Sequence, residues 1–123
     1  MHKFIFGLMC GALATFSHAD NCDKARNTYD DIYCTNKIYA SADADLNKNY
    51  QQLRHQLNET QQKILKKSQL AWIHHRDASC TDSQQNSVDV QCRLTTTQER
   101  NHWLLERLRE CQTVGCKTTR LSE

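Results

Sequence analysis

The chain has 123 residues, no proline and three glycines, and its mean hydropathy is strongly negative at −0.79. That composition excludes a turn-rich β-sandwich, a collagen and a multidomain assembly, and leaves a small, polar, mostly helical protein. The formal net charge of +2 has no dominant basic tract behind it, so nothing in the charge points to nucleic acid or to an anionic membrane surface.

Residues 1–19 read as a signal peptide. His2 and Lys3 precede an apolar run from Phe4 to Phe16, and Ser17-His18-Ala19 puts small residues at both positions an A-x-A-type site needs, so cleavage is expected after Ala19. A lipoprotein signal ending at Cys10 is the weaker reading, because Met9 stands where a small residue belongs. Residues 20–123 are then the exported domain, placed in the periplasm or outside the cell, with no transmembrane segment in it.

Removing the signal removes Cys10 and leaves an even set: Cys22, Cys34, Cys80, Cys92, Cys111 and Cys116. In a short exported chain such a set predicts disulfides that supplement a small core. Proximity in sequence favours three local loops, Cys22 with Cys34, Cys80 with Cys92 and Cys111 with Cys116, although spacing alone does not decide which sulfurs meet.

Three amphipathic segments follow in chain order. The first, about Thr28 to Leu57, places Tyr39, Asp43, Leu46, Tyr50, Leu53 and Leu57 alternately four and three apart, on one helix face. Thr28 with Asp31 resembles its capping box. Asn58 with Gln61 is a second cap signal and marks a short helix-to-helix turn. The second helix, about Thr60 to Cys80, aligns Leu65, Ser68, Trp72, His75 and Ser79, with Ile64 and Ala71 beside them. Thr81 to Asp89 is a polar loop ending in cap-capable Ser87 and Asp89. The third helix presents Leu94, Thr97, Asn101, Leu104, Leu105 and Leu108, and Gly115 suits a left-handed position just past its end. The fold class expected is all-α: a disulfide-stapled, three-helix antiparallel bundle.

If the first two helices form an antiparallel hairpin turning near residue 59 or 60, facing residues have numbers summing to about 119, because both rise equally per residue. Asp43 then faces Arg76, Asn47 faces Trp72 and Tyr50 faces Gln69. Each pair joins a hydrogen-bond donor to a possible acceptor. Such a polar seam is either a groove that binds something or a device that fixes helix register, and the second role is the better attested.

The same residues carry a family resemblance over nearly all of residues 20–123. Ala42-Asp43-Ala44-Asp45-Leu46-Asn47-Lys48-Asn49-Tyr50 is similar to the aD-x-x-LN-x-x-Y element of the family named for the lysozyme inhibitor LprI. Gln69 to Cys80 resembles its Q-x-x-W-x-x-x-RD-x-x-C block, and Cys92, Thr96 and Arg100 resemble its C-x-x-x-T-x-x-x-R ending. Cys22 and Cys34 are similar to the family's first cysteine pair, which supports local pairing. Two positions depart from the pattern: Thr81 to Gln91 lacks the family's usual loop glycine, and His75 stands where an aromatic is commoner. The resemblance implies an exported helical protein without catalytic machinery whose namesake binds and inhibits lysozyme.

The residues themselves offer no enzyme. His55, His74, His75 and His102 form no H-E-x-x-H pair, Cys111-x4-Cys116 lacks redox-motif spacing, and no nucleophile stands with a base and an orienting acid. Catalytic residues, metal ligands and cofactors are therefore expected to be absent, and the partner is expected to be a protein, possible partners including lysozyme. Residues 20–45 hold six acids against three bases, so Asp30 and Asp31, with Asp20 and Asp23, form an acidic end suited to a basic partner. Trp103 falls beside the Leu94, Leu104 and Leu108 stripe, where an exposed indole would be a second contact candidate. The alternative reading is an accessory or immunity-type module for another envelope-active enzyme, with no effect on lysozyme.

Overall fold

A computed structural model describes Cys22 and residues 27–123. The proposed signal at 1–19, and Asp20 and Asp23 of the acidic end, lie outside the described residues. Three helices carry the fold: α1 (Thr28–His55), α2 (Glu59–Ser79) and α3 (Val90–Thr113). Contacts order them up, down, up. Asp43 of α1 meets Arg76 of α2 and Gln69 of α2 meets Arg100 of α3, so α2 runs antiparallel to both neighbours.

Short polar side chains start each helix. Asn27 accepts the Asp30 N–H at 2.9 Å, one residue before the cap read from sequence. Asn58 and Gln61 exchange both bonds of a capping box, at 2.8 and 3.0 Å. Asp89 accepts the Cys92 N–H at 3.0 Å. Each bond satisfies a backbone donor that the first helical turn leaves unpaired.

The segment read as a plain loop contains a small hairpin: β1 (Thr81–Asp82) pairs antiparallel with β2 (Ser87–Val88). Asp82 Oδ1 accepts the N–H groups of Gln84 and Gln85, and Asn86 takes the left-handed conformation at φ +50°. Asparagine tolerates that region better than most residues, which answers the missing glycine. At the far end of α3, Gly115 has φ +100° and its N–H reaches the Glu110 carbonyl at 2.8 Å, closing the helix as its position predicts.

Disulfides join Cys22 to Cys34, Cys80 to Cys92 and Cys111 to Cys116, all three of them local. The core divides in two. Leu46, Leu53, Leu57, Leu65, Leu104 and Leu121 form the larger cluster, and Ile38, Ala42 and Leu94 form the smaller one near the start of α1. Leu121 enters because residues 114–123 fold back along α2 and α3 through a 3-10 turn at Thr118–Arg120, a return that no spacing or cap signal predicts.

Two packing expectations need correction. α1 and α3 are the closest helix pair, so the buried stripe of α1 rotates to Ile38, Ala42, Leu46 and Leu53, leaving Tyr39, Asp43 and Tyr50 half-buried at its edge. On α3, Leu105 is 47% exposed, whereas Arg100 and Arg107 lie on the buried face with Leu94, Thr97 and Leu104.

Candidate functional site

The seam between the helices is built from arginines and aromatic rings. Arg76 projects from α2 and is nearly buried, so its charge must be answered locally. Its Nε donates to Asp77 at 3.0 Å, and one terminal nitrogen donates to Thr97 Oγ1 at 3.3 Å and approaches Asp43 Oδ1 at 3.5 Å. The pairing of Asp43 with Arg76 read from register is therefore present, at the long end of the hydrogen-bond range.

The other two pairs are not the ones read from sequence. Gln69 accepts from Arg100 Nε at 2.9 Å instead of facing Tyr50, and Tyr50 packs against the larger leucine cluster. Asn47 is exposed, while Trp72 stands between two guanidinium groups: Arg76 lies 5.1 Å from its ring centroid and Arg100 5.7 Å. The cause is the lean of α1 onto α3. It carries Asn47 out to solvent and lets α3 supply the partners expected from α1.

Arg100 is the centre of this arrangement. Besides Gln69 it donates to Ser68 Oγ at 2.9 Å and to the backbone oxygen of Glu123 at 3.1 Å, and it stacks on Trp103 at 3.7 Å from the ring centroid. Burial pushes its guanidinium down to about 10, which leaves it charged at neutral pH. Arg107 lies 5.5 Å from the Trp103 ring centroid and binds Glu110 and Glu123. Tyr39, Arg76, Trp72, Arg100, Trp103 and Arg107 thus alternate ring and cation along the seam.

Trp103 belongs to that ladder. Its indole N–H is sealed from solvent without an acceptor among the described residues, and the residue as a whole is partly exposed. Exposed aromatics occur elsewhere, at Tyr29 and Tyr33, which with Ile32 flank Asp30 and Asp31 in the first turns of α1. Asp31 is exposed and Asp30 partly so. Carboxylates there also favour the positive end of the helix dipole.

Sequence reasoning reached Arg100 only through the family resemblance and missed Arg107 and the Glu123 contacts. A signal existed: Thr97, Arg100, Leu104 and Arg107 are spaced three, four and three apart, so both arginines fall on the core stripe. Among the described residues no three His, Cys, Asp or Glu side chains could together hold a metal, and no helix is long and apolar enough to cross a membrane.

Comparison with known families gives a match over most of the chain. The family model described as lysozyme inhibitor LprI matches residues 19–113. The chain belongs to the LprI family. The matched region contains all three helices, the whole guanidinium–aromatic ladder and five of the six paired cysteines, and stops before Cys116 and the folded-back segment. No curated protein and no solved structure matches the chain. Within the LprI domain, the sequence blocks around Asp43, Trp72, Arg76 and Arg100 are the residues that make the seam.

Proposed function

We propose that this LprI-family protein is an exported inhibitor that binds a lysozyme and blocks it by protein–protein contact, without catalysis of its own. The observation that carries the reading is the family match over residues 19–113. Three local disulfides support an oxidising compartment outside the cytoplasm, where such bridges persist. The residue 1–19 pattern supports a bacterial Sec-type signal cleaved after Ala19, with residues 20–123 as the acting domain. In this reading the guanidinium–aromatic seam fixes the register of the helices, and the docking surface lies at the acidic end around Asp30 and Asp31.

The test is a titration of the disulfide-intact protein into a lysozyme turbidity assay, run on lysozymes of several types. Dose-dependent slowing of lysis, lost after reduction, is expected; a flat response to every lysozyme overturns the reading. Reversing the charge of Asp30 and Asp31 should weaken inhibition and flatten its salt dependence. Unchanged inhibition would exclude that end as the docking surface.

A further inference from the structure

α2 and α3 make few direct contacts, and residues 114–123 lie across them as a tail. The tail is held unevenly. Leu121 is its one fully buried side chain, whereas Val114, Lys117, Thr118, Thr119, Ser122 and Glu123 face solvent. Nor does the tail fill the space it covers. An open cavity of about 480 Å³ lies between it and α2, with Ile64, Ser68 and Ala71 on one side and Thr118, Thr119 and Ser122 on the other. A close-packed core leaves few voids of that kind.

The polar contacts under the tail define what it binds to. Ser68 Oγ and one terminal nitrogen of Arg100 donate to the Glu123 backbone oxygen at 3.0 and 3.1 Å, and Arg107 donates to the Glu123 carboxylate at 3.2 Å. Arg100 and Arg107 are only 5% and 4% exposed, so each depends on acceptors brought to it. The fit is nevertheless incomplete. Arg107 Nε, Glu110 Oε2 and Trp103 Nε1 are sealed from solvent without a partner among the described residues, and buried polar groups are ordinarily paired. Without the tail the site holds two guanidinium groups, Arg100 and Arg107, against one carboxylate, Glu110. The family match ends at residue 113, so the site belongs to the matched domain and its cover does not.

We propose that residues 117–123 are an exchangeable internal ligand, and that the α2–α3 site beneath them receives a peptide segment of a protein partner carrying an apolar residue two positions before an acidic one. The occupant in place shows the chemistry that fits. Leu121 enters the leucine cluster, the backbone oxygen of Glu123 takes the Ser68 and Arg100 donors, and its carboxylate meets Arg107. The Cys111–Cys116 bridge holds Cys116 to α3, so the exchangeable part begins at Lys117. This site is separate from the acidic end at Asp30 and Asp31 and does not depend on the lysozyme reading.

The experiment uses the disulfide-intact, isotope-labelled full chain and a synthetic peptide of residues 117–123 with blocked ends, titrated while amide and indole N–H shifts are followed. Tethering gives the tail a high effective concentration, so the unmodified protein should bind the peptide weakly. Leu121→Ser withdraws the apolar anchor and should bind it about tenfold or more tightly, with saturable shifts at Ser68, Arg100 and the Trp103 indole. Glu123→Lys, which keeps Leu121, should also bind it more tightly than the unmodified protein does. Exchanging the peptide's leucine for serine, or its glutamate for glutamine, should weaken binding by about tenfold. Melting curves of both variants accompany the titrations. A Leu121→Ser chain that no longer melts cooperatively overturns the proposal, because the tail is then part of the core and not a ligand. Equal binding by the unmodified protein and both variants, equal binding of the exchanged peptides, or no saturable binding overturns it as well. The turbidity assay is read separately, and a flat response there leaves this site standing.

Discussion

At the end of the bundle where α1 turns into α2, Leu53, Leu57, Leu65, Leu104 and Leu121 are buried together, and Leu53, Leu65 and Leu104 have no exposed surface. At the opposite end the buried apolar cluster is Ile38, Ala42 and Leu94, while Tyr29, Ile32 and Tyr33 nearby stay in solvent. The cross-links are distributed the other way. Both disulfides of sequence separation 12 sit at the thin end, one tying Cys22 to α1 and one joining the end of α2 to the start of α3, whereas the Cys111–Cys116 bridge at the thick end closes a separation of 5. A longer closed loop removes more freedom from the unfolded chain. The thick end is thus held by apolar burial and the thin end by covalent closure, which leaves the thin end free to expose aromatic and acidic side chains.

Substitutions at the two ends should separate these contributions. The largest loss is expected at the thick end. Leu104→Ala should cost about 3–5 kcal/mol of unfolding free energy, since it empties a fully buried site, and denaturant titration measures it. Next comes the thin end: replacing Cys80 and Cys92 together by Ser should cost about 3 kcal/mol, against about 2 kcal/mol for Cys111 with Cys116. Equal losses for the two pairs would remove loop closure as the explanation.

Leu121→Ala should cost about 2 kcal/mol, and it should loosen the contacts of Ser68 and Arg100 with the Glu123 backbone oxygen. Hydrogen exchange would show this as faster opening of the segment after Thr113. The smallest effect belongs to Asp43→Ala. Its carboxylate is 43% exposed and 3.5 Å from Arg76, so the pair should contribute less than about 1 kcal/mol. A double-mutant cycle with Arg76→Ala should still show coupling, and strictly additive losses would mean that the contact does not stabilise the fold.

The legible part of the seam was the part set by helix geometry. Equal rise per residue brings Asp43 opposite Arg76 once the turn at Asn58 is located, and the capping box locates it. The illegible part came from the third helix. Placing a guanidinium in a core is unfavourable unless acceptors and rings surround it, and those around Arg100 come from residues far away in sequence: Ser68, Gln69, Trp72 and Glu123. Leu105 falls with the apolar stripe by spacing alone, yet it is 47% exposed, because the buried face of α3 turns toward Arg100 and Arg107.

What the sequence by itself determined are the features governed by near neighbours: three helices from apolar spacing, their starts at or beside Asn58 and Asp89, and the left-handed Gly115, while for the disulfides it only favoured the local pairs that the structure forms. Their energies depend on residues a few positions apart, so the order of the chain is enough to find them. Only the tertiary structure decided that α1 leans on α3, that two arginines enter the core, and that residues 114–123 fold back to bury Leu121. Those outcomes depend on which surfaces leave water together, a property of the packed helices jointly and of no single segment.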